Sequence, residues 1–231
     1  MAEVLSNVQV APGVFRLAVK GHDKGRMGQF YMLRAWDQYP LLSRPISIFD
    51  ISGDIIEFLY IVAGEGTEIF SRLKAGDSIT LEGPFGNGFE KPTGKTAFIG
   101  GGIGIAPFYY ALREIKDADV YLGFSRDPYM VDEFRQATAG NVHVDVGGII
   151  LDSVDFNAYD TIYTCGPHPM LRAVQRKQIE SGSRAKVYVS LENRMACGIG
   201  ACLVCSVKCT DGRKKACADG PVFLAEEVVF E

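Results

Sequence analysis

The hydrophobic pattern of the chain changes at Lys91-Pro92-Thr93-Gly94-Lys95, and no one regular architecture suits both sides of the change. Before it, short β-prone runs at 4–10, 14–19, 29–35, 45–50, 55–61 and 78–82 are separated by turn residues such as Pro12-Gly13 and Gly53-Asp54. Strands this short and this evenly spaced predict a small closed antiparallel β-barrel, because closure leaves no unpaired edge. One helix, over 67–73, interrupts them, with Glu68 in its first turn, Lys74 at its end and Gly76 just beyond. After the change, strands at 96–99, 120–124, 142–146, 161–164 and 187–191 alternate with helices at 108–115, 131–136 and 169–180. That alternation predicts an α/β domain whose parallel sheet is covered on both faces.

The end of the chain follows neither pattern. Cys197, Cys202 and Cys205 stand in C-x4-C-x2-C spacing, and Cys217 follows a short basic stretch. This spacing suits a plant-type [2Fe–2S] site, where four thiolates hold two irons. Gly198, Gly200 and Ala201 are small enough for the loop to wrap a bulky inorganic core and aim N–H groups at sulfur. Four thiolates also suit tetrahedral zinc, although zinc sites usually pair two C-x2-C knuckles. Cys209 competes with Cys217 for the fourth place. We read Cys217 as the ligand and Cys209 as an ordinary small side chain. The chain thus divides into 1–92, 93–191 and 192–231: an antiparallel barrel, a parallel-sheet α/β domain and a small cysteine-rich module.

Several function classes are disfavoured. A formal charge of −4, with basic residues scattered, argues against a nucleic-acid partner. No apolar run approaches the length that crosses a bilayer; the longest, around 96–112, is broken by glycines and Pro107. The first residues lack the basic flank and apolar run of a secretory leader, and 231 residues can build a core without disulfide staples. A cytoplasmic protein with reduced thiols is expected. His22, His143 and His168 offer no support for general-base chemistry.

Three further motifs point to ligands. The run Gly100-Gly101-Gly102-Ile103-Gly104-Ile105-Ala106-Pro107 joins a strand to a helix, where glycines let a diphosphate approach N–H groups at the helix start. It is not a clean G-x-G-x-x-G, and a tight turn that binds nothing is the competing reading. Cys165-Gly166-Pro167 ends another strand on the side where open α/β sheets bind ligands; a plain buried cysteine is the alternative. Arg44-Pro45-Ile46-Ser47 places a guanidinium able to grip a phosphate three residues from a hydroxyl that could meet a flavin edge; a salt-bridging surface arginine at the start of a strand is the competing reading. Gly64-Glu65-Gly66-Thr67 offers a second turn of N–H groups for a phosphate.

Taken together, these motifs resemble the ferredoxin–NADP reductase superfamily. Glu192-Asn193-Arg194-Met195-Ala196-Cys197, continuing to Cys202, with Cys217 to Phe223, is similar to the electron-transfer subunits of NAD-dependent (class 1B) dihydroorotate dehydrogenases. The resemblance spans essentially the whole chain. It implies FAD in the barrel, held by Arg44, Pro45, Ile46, Ser47, Gly66 and Thr67. It implies NAD on the α/β domain, with Gly101, Gly102 and Gly104 at its diphosphate and Cys165 and Gly166 near its nicotinamide. It implies a [2Fe–2S] cluster on Cys197, Cys202, Cys205 and Cys217. The implied partner is an FMN-containing catalytic subunit that oxidises dihydroorotate, in a heterotetramer. Electrons would pass from that FMN through the cluster and FAD to NAD⁺. A similar subunit of a ferredoxin:NADP oxidoreductase or hydrogenase-type complex stays open, and Ser125-Arg126 leaves NADP open beside NAD.

Overall fold

The computed structural model describes residues 1–230. Six strands close the barrel: β1 (Ala2–Ala11), β2 (Val14–Lys20), β3 (Phe30–Arg34), β4 (Arg44–Ser52), β5 (Ile55–Ile61) and β6 (Ser78–Phe85), in the order β1-β2-β5-β4-β3-β6. All pairs are antiparallel. Helix α1 (Glu65–Ser71) packs Phe70 into a core with Leu17, Phe58 and Tyr60. Each such fully buried apolar side chain contributes about 1.5–3 kcal/mol relative to exposure.

The second domain is laid down as β7 (Thr96–Gly101), α2 (Ala106–Ala111), β8 (Asp119–Phe124), α3 (Val131–Ala137), β9 (Val142–Val146), β10 (Thr161–Cys165), α4 (His168–Ser181) and β11 (Lys186–Ser190). Strands β7 and β10 are buried along their whole length. This is why their sequences read as unbroken apolar or small runs rather than alternating ones. The five strands pair in parallel, as expected.

The C-terminal segment adds three strands that the sequence patterns do not reveal. β12 (Ser206–Cys209) and β13 (Gly212–Lys215) form a hairpin. β14 (Val222–Leu224) adds antiparallel to β11, extending the sheet to β14-β11-β10-β7-β8-β9. Its Phe223, with Cys205 and Cys217, joins the core that holds Ile162 and Val189, so this segment is welded to the sheet. The barrel grips it too. Asn87 Nδ2 donates to the Val222 carbonyl at 2.8 Å, and the Asn87 N–H donates to that of Gly220 at 2.6 Å.

Candidate functional site

A cleft of about 250 Å³ opens where all three parts meet. Arg44, Pro45, Ile46 and Ser47 form one wall. They begin β4, where Arg44 pairs with Leu33 and Ser47 with Phe30, so pairing to β3 sets their direction. Ile103 and Ala106, after β7, form a second wall, and Ser190 to Asn193 with Met195 and Pro221 close the third.

The Arg44 guanidinium lies 5.3 Å from the Trp36 ring centroid and donates to the Leu42 carbonyl. It presses against the start of α1 because Gly66 has no side chain; a Cβ there would stand 2.6 Å from Arg44 Nε. A flat, bidentate donor beside backbone N–H groups has the chemistry to take a diphosphate. The Thr67 hydroxyl, by contrast, is committed to its own turn. It donates to the Gly64 carbonyl at 2.9 Å and accepts from the Ala63 N–H at 2.9 Å, so it shapes that turn. The Ser47 hydroxyl lines the cleft and hydrogen-bonds to no described residue, which leaves it available to a ligand edge.

The glycines after β7 do two different jobs. Cβ atoms on Gly101 and Gly166 would meet Met170 Sδ at 2.5 Å and 2.9 Å, and one on Gly104 would meet the Cys165 carbonyl oxygen at 2.4 Å. These three let the loops ending β7 and β10 interlock. Gly102 alone among the loop's predicted ligands has φ +57° and open space above it. The Cys165 thiol is fully buried and donates to Glu192 Oε1 at 3.8 Å; burial and then the Glu192 charge push the thiol up. Glu192 is exposed along the cleft, and the protein crowded around its carboxyl raises it by partial desolvation. The carboxylate stands in the C-terminal motif, but nothing in its spacing tied it to Cys165. Ser125 and Arg126 are exposed just past β8.

The four cysteines come together as two pairs. Cys205 Sγ and Cys217 Sγ are 3.2 Å apart, and the Gly200 N–H donates to Cys217 Sγ at 3.1 Å. Burial, then the Cys205 thiol, pushes Cys217 up to about 12. Cys197 sits with Cys202, and the backbone N–H groups of Cys202, Ile199 and Ala201 hold its thiol down at about 6. Gly198 and Gly200, at φ +72° and +80°, turn the loop so that those N–H groups face inward. Among the described residues no three Cys, His, Asp or Glu side chains converge on one point, as a single metal ion requires. Two thiol pairs ringed by N–H donors fit a two-iron centre instead. Cys209 lies on β12, with Asp211, Lys214, Asp219 and Glu227 as its charged neighbours.

Residues 192–229 match the family described as the iron–sulfur cluster binding domain of dihydroorotate dehydrogenase B. Over 99% of its length the chain is 44% identical to the dihydroorotate dehydrogenase B (NAD(+)) electron transfer subunit of Clostridium acetobutylicum, covering 96% of that protein. It belongs to this family of electron transfer subunits. The corresponding subunit of Caldanaerobacter subterraneus subsp. tengcongensis is 39% identical, with 99% and 98% of the two chains covered. Among solved structures, the NADH-dependent reduced ferredoxin-NADP oxidoreductase superposes at a TM-score of 0.88 with 26% identity, covering 100% of this chain and 90% of that one. The ferredoxin reductase of carbazole 1,9a-dioxygenase superposes at 0.65 with 24% identity over 79% of this chain and 65% of that one, a likeness of fold. The expected architecture of barrel, parallel-sheet domain and iron–sulfur module is therefore the family's. No helix among the described residues is long and apolar enough to cross a membrane.

Proposed function

We propose that this chain links an FMN-containing catalytic subunit, which oxidises dihydroorotate to orotate in pyrimidine synthesis, to NAD⁺, holding a [2Fe–2S] cluster and FAD between them. The observation that carries this reading is the single cleft walled by the barrel, the α/β sheet and the cysteine segment. The cofactors divide along modules 1–92, 93–191 and 192–231. A flavin, when bound, exchanges electrons in pairs with a nicotinamide and singly with an iron–sulfur cluster.

Each part of the chain has a task in this scheme. Arg44, beside Gly66 and the turn that Thr67 braces, binds the FAD diphosphate. Pro45 and Ile46 give the flavin an apolar wall, and the free Ser47 hydroxyl binds its polar edge. Gly101, Gly102 and Gly104 shape the NAD diphosphate loop, with Gly102 the point of open approach. Cys165 and Gly166 lie on the nicotinamide side, and Glu192 sets the charge there. Cys197, Cys202, Cys205 and Cys217 hold the irons. Ile199, Leu203 and Val204 stand exposed on the cysteine segment and face the catalytic subunit. The complex is a heterotetramer in the cytoplasm.

The test is Cys202→Ser in the anaerobically prepared complex. Dihydroorotate-driven NAD⁺ reduction should collapse, while NADH-driven dye reduction through FAD persists. Unchanged coupled turnover sinks the reading. The full-length likeness to a ferredoxin-NADP oxidoreductase favours one rival, service in a complex of that type. A ferredoxin-reducing subunit copurifying in place of the FMN subunit selects it.

A further inference from the structure

Strand β4 and helix α2 start at the same cleft and run away from it side by side. On β4, Pro45 to Ser47 line the cleft, and Phe49 and Asp50 follow. On the other element, Ile103 and Ala106 line the cleft, Tyr109 follows, and Arg113 sits on the turn that prolongs α2. Three strand residues from Ser47 to Asp50 cover roughly 10 Å. Helix α2 and the turn beyond it advance seven residues from Ala106 to Arg113, also roughly 10 Å at a helical rise. The two elements therefore keep pace from the cleft to their far ends.

Two contacts hold them together. Midway, the Phe49 and Tyr109 rings stack at 4.5 Å with 8° between their planes. At the far end, Arg113 grips Asp50 with both arms of its fork, Nε to Oδ1 at 2.5 Å and Nη2 to Oδ2. Asp50 is only 5% exposed, and the other titratable groups around the pair are Tyr109, Tyr110, Glu57 and Arg16. Arg16 belongs to the barrel face, 5.5 Å from the Phe49 centroid and paired with Glu57 at 2.6 Å. A near-parallel ring stack resists separation but lets its faces slide. A bidentate arginine–carboxylate pair fixes both slide and angle.

We infer that Asp50 and Arg113 are a positioning pair that sets the distance between the nicotinamide-binding loop and the flavin-binding strand. The inference rests on the nucleotide reading of loop 101–104 given above. Hydride transfer needs reacting atoms about 3–3.5 Å apart, and a 1 Å misplacement from a remote change can cost on the order of a hundredfold. The clasp touches no cofactor. It acts by locking the element that carries one site to the element that carries the other.

The test uses the complete holoenzyme with two variants: the paired neutral change Asp50→Asn with Arg113→Gln, which leaves no buried charge alone, and Arg113→Lys, which keeps a charge but loses the fork. Flavin and iron contents should match wild type. Dihydroorotate-driven reduction of the bound flavin should be unchanged, since that route does not cross the β4–α2 seam. NADH-driven flavin reduction at saturating NADH should slow about tenfold in the double variant, with KM for NADH within about twofold, and less in Arg113→Lys. Amide exchange along 106–113 and 47–50 should quicken in both variants. Equal slowing of both half-reactions, loss of flavin, or unchanged exchange overturns the inference. If the double variant does not fold, Arg113→Lys decides by the same readings. Absence of NADH-driven reduction in wild type defeats the nucleotide reading instead, and the exchange comparison still judges the clasp.

Discussion

The cysteine loop and the cleft beside it are built on opposite plans. Cys197, Cys202 and Cys205 occupy nine residues, with Cys217 twelve further on, and two positive-φ glycines orient the backbone around them. The cleft draws Arg44 from one strand, Thr67 from a helix start, Ile103 from a second domain and Glu192 from a third segment. A metal site needs several strong donors at one place, and a short loop supplies them. A dinucleotide site needs separate contacts spread over a long ligand, and only distant elements reach them all. One lost thiol should therefore destroy the first site, whereas the second should lose its functions singly.

The largest expected effect in the cleft is that of Arg44→Gln. Losing a charged, forked contact to a diphosphate should weaken FAD about 10–100-fold, from about 1.5–3 kcal/mol for hydrogen bonds to a charged group. Flavin fluorescence titration measures it, and iron content should stay at the wild-type value. Loss of iron alongside FAD would break the contrast between the two sites.

Next comes a pair of glycines in one loop. Gly104→Ala drives a Cβ into the Cys165 backbone and should cost about 2 kcal/mol, as overpacking does. Gly102→Ala meets no neighbour and should cost only about 1 kcal/mol, for a left-handed φ. Thermal unfolding of the two variants ranks them; the reverse order would mean that the loop glycines serve ligand approach rather than packing.

The smallest effect is a pH slope. Partial desolvation in the cleft raises the Glu192 carboxyl above its ordinary value of 4.5, so the folded chain keeps that proton to higher pH than the unfolded chain does. Between 4.5 and the folded value the folded state holds more protons than the unfolded state, so stability falls as pH rises across that interval. Glu192→Gln should remove this fall, with Cys165 and Tyr129 unchanged beside it. The effect is small because water in the cleft screens the charge. Parallel stability–pH curves for the two proteins would contradict the desolvation of the Glu192 carboxyl.

The legible parts were those in which cause and consequence lie close along the chain. The barrel strands, the alternation after Lys95 and the cysteine spacing stand in the sequence, and the structure places strands β1 to β11 within a few residues of the patterned runs. Strand β14 escaped because three residues are too short to display a period of two, and its partner β11 lies over thirty residues earlier. The packing role of Gly101, Gly104 and Gly166 escaped because a glycine written in a sequence does not say whether a ligand or a neighbouring loop fills the space it leaves. Asp50 and Arg113, 63 residues apart, match no motif at all.

Sequence alone determined the kinds of element through β11 and the order of barrel, parallel sheet and cysteine-rich segment, because hydrophobic period and cysteine spacing act over a few residues. Tertiary structure decided that the modules share one cleft, that Glu192 meets Cys165 there, and that β4 and α2 are bolted in step. Those facts depend on which distant surfaces pack together, and the burial that creates them is a property of the whole fold.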